Sequence, residues 1–176
     1  MKSGLLIIDM QKGLFMLDKP IYDEVRLIKN ISSLISQARK AGIPIIYMQH
    51  CGGECHPLET NNIGYQFVDQ INVTPNDIII QKKHPDSFQS TELHSVLSEL
   101  AINNIILVGM QTEYCIDSTC RRAYSLGYNV TLVGDAHSTC DGDVLDAKQI
   151  VAHHNEILGA LFASVILTDK VIFNNN

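Results

Sequence analysis

Short, fully apolar runs alternate with amphipathic stretches along this chain. That pattern predicts an α/β fold, a three-layer α/β/α sandwich around a six-stranded, mostly parallel sheet. Three observations carry the prediction: apolar runs of strand length, helical spacing between them, and glycines at the breaks.

The first run, Leu5 to Ile8, follows Met1-Lys2-Ser3-Gly4 directly, which reads as a strand and not as a signal peptide. Tyr22 to Lys40 then places Val25, Ile28, Ile31, Leu34, Ile35 and Ala38 on one helical face, and Gly42 supplies the stop. Pro44 to Met48 is the second strand. Gln49 to Pro75 is irregular and rich in Gly, Asn and Cys, the character of a lid, a binding loop or a subunit contact. Asp77 to Ile80 is the third strand, and Thr91 caps a helix through Leu100. Asn104 to Val108 is the fourth, followed by a helix from Thr112 or Glu113 to Leu126 that Gly127 breaks. Asn129 to Val133, a helix from Asp143 to Leu161 after Gly142, and Ser164 to Leu167 complete the pattern. The polar tail Asn174-Asn-Asn176 is expected to fray.

Composition narrows the function. The 176 residues suit a single domain spanning 1–176, with an apolar fraction of 45%. A formal net charge of -6 without a block of Lys or Arg argues against nucleic acid and against an anionic membrane surface. A small-molecule substrate fits better. No apolar stretch reaches the roughly 20 residues that span a bilayer, so a cytoplasmic protein is expected. Five cysteines, an odd number without a secretory segment, point to reduced thiols.

Right-handed crossovers put helices on both faces of such a sheet and leave ligands to its carboxyl edge. Asp9, Lys82 and Cys115 each follow the end of a separate strand candidate, so the topology brings them to one rim. Cys115 falls in the first turn of a helix, where unpaired amides and the helix dipole favour thiolate. Lys82 supplies a cation that lowers the thiol pKa, and Asp9 accepts the thiol proton. That set predicts a thiol reactive towards iodoacetamide at mildly acidic pH. Singly, each residue has a plainer reading: a small buried hydrophobe, a strand-end cap, a solvated charge.

The segments Leu5-Leu-Ile-Ile-Asp9-Met-Gln11, Lys82-Lys-His-Pro-Asp-Ser-Phe88-Gln-Ser-Thr91 and Gly109-Met-Gln-Thr-Glu-Tyr-Cys115, with Thr119-Cys-Arg-Arg-Ala123 after them, resemble the isochorismatase-like cysteine hydrolases. Gly134-Asp-Ala-His-Ser-Thr139 and His153-His-Asn155 with Leu158 extend the likeness over nearly the whole chain. The resemblance implies a Rossmann-like, isochorismatase-like fold and an Asp, Lys, Cys triad at Asp9, Lys82 and Cys115. It favours Lys82 over Lys83, because the family lysine precedes the position of Phe88 by the same spacing. It also implies a cis peptide between Met110 and Gln111, and an oxyanion hole from the backbone N–H groups of Gln111 and Cys115.

The implied activity is hydrolysis of a small carboxamide or ureide through a thioester, with no cofactor. Homo-oligomers are frequent in such a family. Gln11, Leu14 and Phe15 follow Asp9 and are candidates to line the pocket, although such residues equally serve core packing. Some nicotinamidases hold a metal in the loop after the second strand. Here that segment reads His50-Cys51-Gly-Gly-Glu-Cys55-His56, without the family's acid and histidine spacing and without zinc-finger spacing, so no metal is expected. His137, His153 and His154 read as strand-end caps, packing or subunit contacts before general bases. Cys120 and a loop Cys140 do not read as resolving thiols. Two alternatives stay open: a vinyl ether hydrolase of the isochorismatase type, against which Cys115 argues, and a non-catalytic flavodoxin-like binding module.

Overall fold

The structure is a computed structural model that describes residues 2–173, so the Asn174 to Asn176 tail lies outside the described residues. Among the described residues six strands form one sheet: β1 (Ser3–Ile8), β2 (Ile45–His50), β3 (Ile78–Lys82), β4 (Asn104–Met110), β5 (Asn129–Ser138) and β6 (Ser164–Ile166). Their order is β3-β2-β1-β4-β5-β6, and every neighbouring pair is parallel. Parallel neighbours need long crossovers, which here carry α1 (Lys12–Phe15), α2 (Glu24–Lys40), α3 (Leu93–Glu99), α4 (Asp117–Ser125) and α5 (Ala147–Leu161).

Strand alternation sorts the apolar residues to two faces. Leu5, Ile7, Ile45, Tyr47, Ile106 and Val108 pack with α2, while Leu6, Ile8, Ile46, Met48, Ile80 and Leu107 pack with α3, α4 and Leu158 of α5. This is the three-layer sandwich expected. The chain enters at the centre, winds outward through β2 and β3, then returns to build β4 to β6 on the other side. Crossovers diverge to opposite faces between β1 and β4, and that divergence opens a crevice at the carboxyl ends.

Several boundaries differ from the sequence expectation. Asp23, at φ 49°, breaks the chain before α2, whose apolar stripe is Leu27, Ile31, Leu34, Ile35 and Ala38. Val25 is 80% exposed and Leu27 only 2%. Two residues apart on a helix means about 200° of rotation, so the two cannot share a face. The helix ends as expected at Gly42, whose φ is 65°. There the Gly42 N–H donates to Arg39 O (3.1 Å) and the Ile43 N–H to Ala38 O (2.9 Å), a Schellman closure.

At the other end of the chain α5 begins at Ala147, not Asp143. Asp146 accepts from the Gln149 N–H (2.7 Å), and the Gln149 side chain accepts from the Asp146 N–H (3.1 Å). That reciprocal cap fixes the start and leaves Val144 exposed. Thr91 accepts from the Leu93 N–H (3.3 Å) at the start of α3, while its hydroxyl donates to Ser87 O (2.6 Å).

Most strands also run further at their carboxyl ends than the apolar runs do. β5 continues through Gly134-Asp-Ala-His-Ser138, and its register against β4 shifts between Leu107 and Gly109. Gly109 has φ 120°, and a side chain there would collide with the Ile8 carbonyl. Glycine is what lets β4 approach β1 beside the crevice.

The helix register predicts the response to truncation. Leu27→Ala should destabilise the protein by about 2–5 kcal/mol in urea unfolding, whereas Val25→Ala should stay within about 0.5 kcal/mol of the parent.

Candidate active site

The crevice draws its polar groups from the strand ends. Asp9 follows β1 with φ 49°, a left-handed conformation that aspartate tolerates better than most residues. Its N–H donates to Met48 O (3.1 Å), and its carbonyl accepts from the Gln11 N–H (2.8 Å). The carboxylate is held inward, 2% exposed. Lys82 is the last residue of β3, and its side chain is fully buried, while its neighbours Gln81 and Lys83 point outward. Alternation along the strand thus selects Lys82 over Lys83.

The Lys82 ammonium is the hub. Its Nζ lies 2.7 Å from Asp9 Oδ2, 3.1 Å from His84 O, 3.2 Å from Cys115 Sγ and 3.3 Å from His50 Nδ1. An ammonium has three N–H groups, so four acceptors compete for them. The Asp9 carboxylate and the Cys115 thiol also interact directly, and Asp9 Oδ1 is buried with no further hydrogen-bond partner among the described residues.

Burial sets the protonation of this cluster. It raises the Asp9 pKa above the usual 3.8 against the lowering pull of Lys82. Burial pulls the Lys82 ammonium down, but the facing Asp9 and Cys115 more than reverse that, so its pKa is raised. Burial and the Asp9 charge push the Cys115 thiol up to about 12, with Lys82 opposing. This corrects the expectation of a resting thiolate. One cation in an apolar crevice balances one anion, and the carboxylate is the stronger acid. At rest the site therefore holds an ammonium, a carboxylate and a thiol. Moving the thiol proton to Asp9 leaves the net charge unchanged.

Cys115 sits in a single π-helical turn, Thr112–Ile116, that opens α4. The Gln111 carbonyl accepts from the Tyr114 N–H (3.3 Å) and the Ile116 N–H (3.1 Å), and so passes over the Cys115 N–H that an α-turn would have used. The peptide between Met110 and Gln111 is cis.

Buried polar contacts brace this turn. His137 is 3% exposed, and Asn155 donates to Gly134 O (2.9 Å), which leaves Asn155 Oδ1 to accept from His137 Nε2–H (2.9 Å). His137 Nδ1 then accepts from the Thr112 hydroxyl (2.9 Å). Burial holds that imidazole neutral, its pKa lowered to about 4. His137 is thus a strut between α5 and the turn. On the far side Thr119 donates to Ser87 Oγ (2.9 Å) and accepts from the Ser87 N–H (3.1 Å), tying α4 to the loop that follows Lys82.

Gln11 is fully buried: its Oε1 accepts from the His50 N–H (2.8 Å), and its Nε2 donates to His50 O (3.1 Å) and Tyr65 O (2.9 Å). Those bonds tie β2 to the long loop. Leu14 is buried in the core cluster, with Phe15 packed against it.

In the His50 to His56 segment the two histidine rings approach each other but the cysteines do not join them. His50 faces Lys82, Cys51 Sγ lies 3.5 Å from the Tyr65 hydroxyl, Cys55 is exposed, and His56 Nδ1 accepts from the Leu58 N–H (3.0 Å). Among the described residues no three His, Cys, Asp or Glu are grouped to hold a metal. Cys120 is buried in the core, and Cys140, which was expected in a loop, is buried in an isolated bridge to Ile21.

Two clefts flank the cluster. One of about 400 Å³ is lined by Cys51, Gln81, Lys82, Lys83, His84 and Ser90. Another of about 550 Å³ includes Lys19, Gln111, Glu113 and Tyr114. A further cavity of about 530 Å³ lies at the opposite sheet edge, by Asn104, Asn129 and Ser164, away from these groups. Sequence reasoning missed the roles of His50, Ser87 and Thr119. His50 ends its strand as Lys82 ends the next, a signal that the rule of strand ends contains.

An isochorismatase domain model matches residues 3–168. The chain belongs to the isochorismatase family. Members of that family are hydrolases, and so is this chain. It is 30% identical to the isochorismatase family protein YddQ of Bacillus subtilis strain 168, over 98% of this chain and 99% of that one. It is 26% identical to the ureidoacrylate amidohydrolase RutB of Pantoea ananatis strain LMG 20103, over 77% of this chain and 68% of that one. An isochorismatase from Pseudomonas putida KT2440 superposes with TM-score 0.91 and 30% identity, covering 97% of this chain and 90% of that one.

The charge balance gives this isochorismatase-family hydrolase a measurable signature. In Asp9→Asn the anion that raises the thiol pKa is gone, and Lys82 pairs with sulfur alone. The pH midpoint of Cys115 alkylation by iodoacetamide should then fall relative to the parent, although the base has been removed.

Proposed function

We propose that this hydrolase cleaves small carboxamides or ureides through a Cys115 thioester and releases ammonia or an amine. The observation that carries the reading is the Lys82 ammonium set between the Asp9 carboxylate and the Cys115 sulfur at the carboxyl rim. The name of the Pantoea relative, a ureidoacrylate amidohydrolase, supports the same class.

Asp9 takes the proton from Cys115 as the sulfur adds to the substrate carbonyl carbon. Lys82 redirects an N–H to the new thiolate and keeps the crevice neutral. The carbonyl electron pair moves to oxygen, which the Gln111 and Cys115 N–H groups receive; each such donor is worth on the order of a hundredfold in rate. As the C–N bond breaks, protonated Asp9 gives its proton to the departing nitrogen. A water molecule then loses a proton to Asp9 and attacks the thioester, and the sulfur leaves with that proton as the acid is released. Nothing in this cycle calls on a metal or a redox group.

The reading includes a cytoplasmic, homo-oligomeric enzyme with the Gln49 to Pro75 segment as lid or subunit contact. Among the described residues no helix is long and apolar enough to cross a membrane.

Cys115→Ala, Asp9→Asn and Lys82→Met should each lower ammonia release from a turned-over amide by about a thousandfold or more, because members of such a set act as a unit. Full turnover in any of the three would overturn the mechanism. The pH profile has a definite sign. Activity requires Asp9 ionised, and burial raises its pKa, so kcat/KM should fall on acidification at a pH above the ordinary carboxylate value of 3.8. Raised pKa values for Cys115 and Lys82 push the basic limb far into the alkaline range. A profile governed by a free thiolate would instead rise through neutral pH.

A further inference from the structure

His50 ends β2 in register with Lys82 of β3, on the rim that carries Asp9. Its Nδ1 lies 3.3 Å from Lys82 Nζ. An ammonium can only donate, so Nδ1 accepts and carries no proton. The neutral ring therefore bears its hydrogen on Nε2. Burial, with the Lys82 ammonium beside it, lowers the His50 pKa to about 4, which keeps the ring neutral under ordinary conditions.

That Nε2–H has no hydrogen-bond partner among the described residues, and Nε2 is not among the buried unpartnered atoms. It faces accessible space. The ring is also held in place. Gln11 grips both backbone groups of His50, and the His56 ring lies 5.5 Å away between centroids. A donor oriented on one side by the catalytic ammonium, and left open on the other, is preorganised for a ligand oxygen.

We propose that His50 is a specificity-determining residue: its Nε2–H binds an oxygen of the substrate next to the scissile amide. The site would then favour ureides and amides that carry a second carbonyl or a carboxylate over simple alkyl amides. This inference rests on the amidase reading above. A substrate without that oxygen leaves the donor unpaired in a half-buried position, and the cost falls on its transition state.

Two substitutions separate the two ring nitrogens. His50→Asn places an amide oxygen near the Nδ1 position, keeping an acceptor for Lys82, and removes the distal N–H. His50→Gln keeps an N–H near the Nε2 position and removes the acceptor. The readout is the ratio of kcat/KM for N-carbamoylglycine to that for butyramide. The parent should prefer the ureide, His50→Asn should lose about ten- to a hundredfold of that preference, and His50→Gln should retain it. A parent without the preference, or a ratio unchanged in His50→Asn, overturns the proposal.

A second measurement does not need turnover. In Cys115→Ala protein labelled with 15N-histidine, His50 should show the Nε2–H tautomer at neutral pH. Its Nε2 resonance should shift on addition of N-carbamoylglycine and not of butyramide. An Nδ1–H tautomer, an imidazolium or an unmoved Nε2 resonance overturns the assignment. The amidase reading fails separately, if Cys115→Ala turns over an amide as fast as the parent does, and where the parent hydrolyses neither probe the imidazole measurement alone decides the role of His50.

Discussion

A fully buried ammonium is unfavourable in an apolar crevice unless anions and dipoles surround it. Lys82 meets that condition with Asp9, the His84 carbonyl, Cys115 and His50, and much of the surrounding structure serves to hold those four in place. Its surplus of acceptors over N–H groups is functional, because one hydrogen bond can be redistributed as charge moves between oxygen and sulfur. A site with only Asp9 and Cys115 would have no means of keeping the nascent thiolate in apolar surroundings.

The scaffold reaches this arrangement with paired buried polar groups. Ser87 with Thr119 fixes the loop after Lys82 to the helix after Cys115, and Thr112, His137 and Asn155 fix the turn that carries the sulfur. Each pair links two segments distant in sequence, and each is satisfied internally. Rigid placement of the reacting atoms follows from such satisfied contacts, since a half-satisfied buried network is itself destabilising.

The sequence was legible where burial of apolar surface decides structure. Leu5 to Ile8 and Asn104 to Val108 announce central strands, and strand ends in a parallel sheet point to Asp9, Lys82 and Cys115. Reading failed where a polar or conformational detail decides. Val25 and Leu27 are both apolar and both begin a plausible helical stripe; the left-handed Asp23 and the packing against the sheet choose between them. β5 runs past Val133 because Asp135, His137 and Ser138 find hydrogen-bond partners, which no hydrophobic pattern reveals. The thiol's protonation was misjudged because the helix start is visible in sequence, whereas desolvation and the Asp9 charge exist only once the chain has folded. His50 was obscured by the cysteines and histidine beside it, which suggested a metal cluster.

The central entry of the chain into the sheet has a bearing on how the nucleophile comes into being. β1 acquires its outer neighbours before β4 is made, so during synthesis Asp9 and Lys82 can meet while Cys115 is still absent. The sulfur can then join an already neutralised ion pair as the last member. A partly unfolded full-length molecule therefore carries five ordinary thiols and no assembled nucleophile, and hydrolytic competence arrives together with the finished sheet.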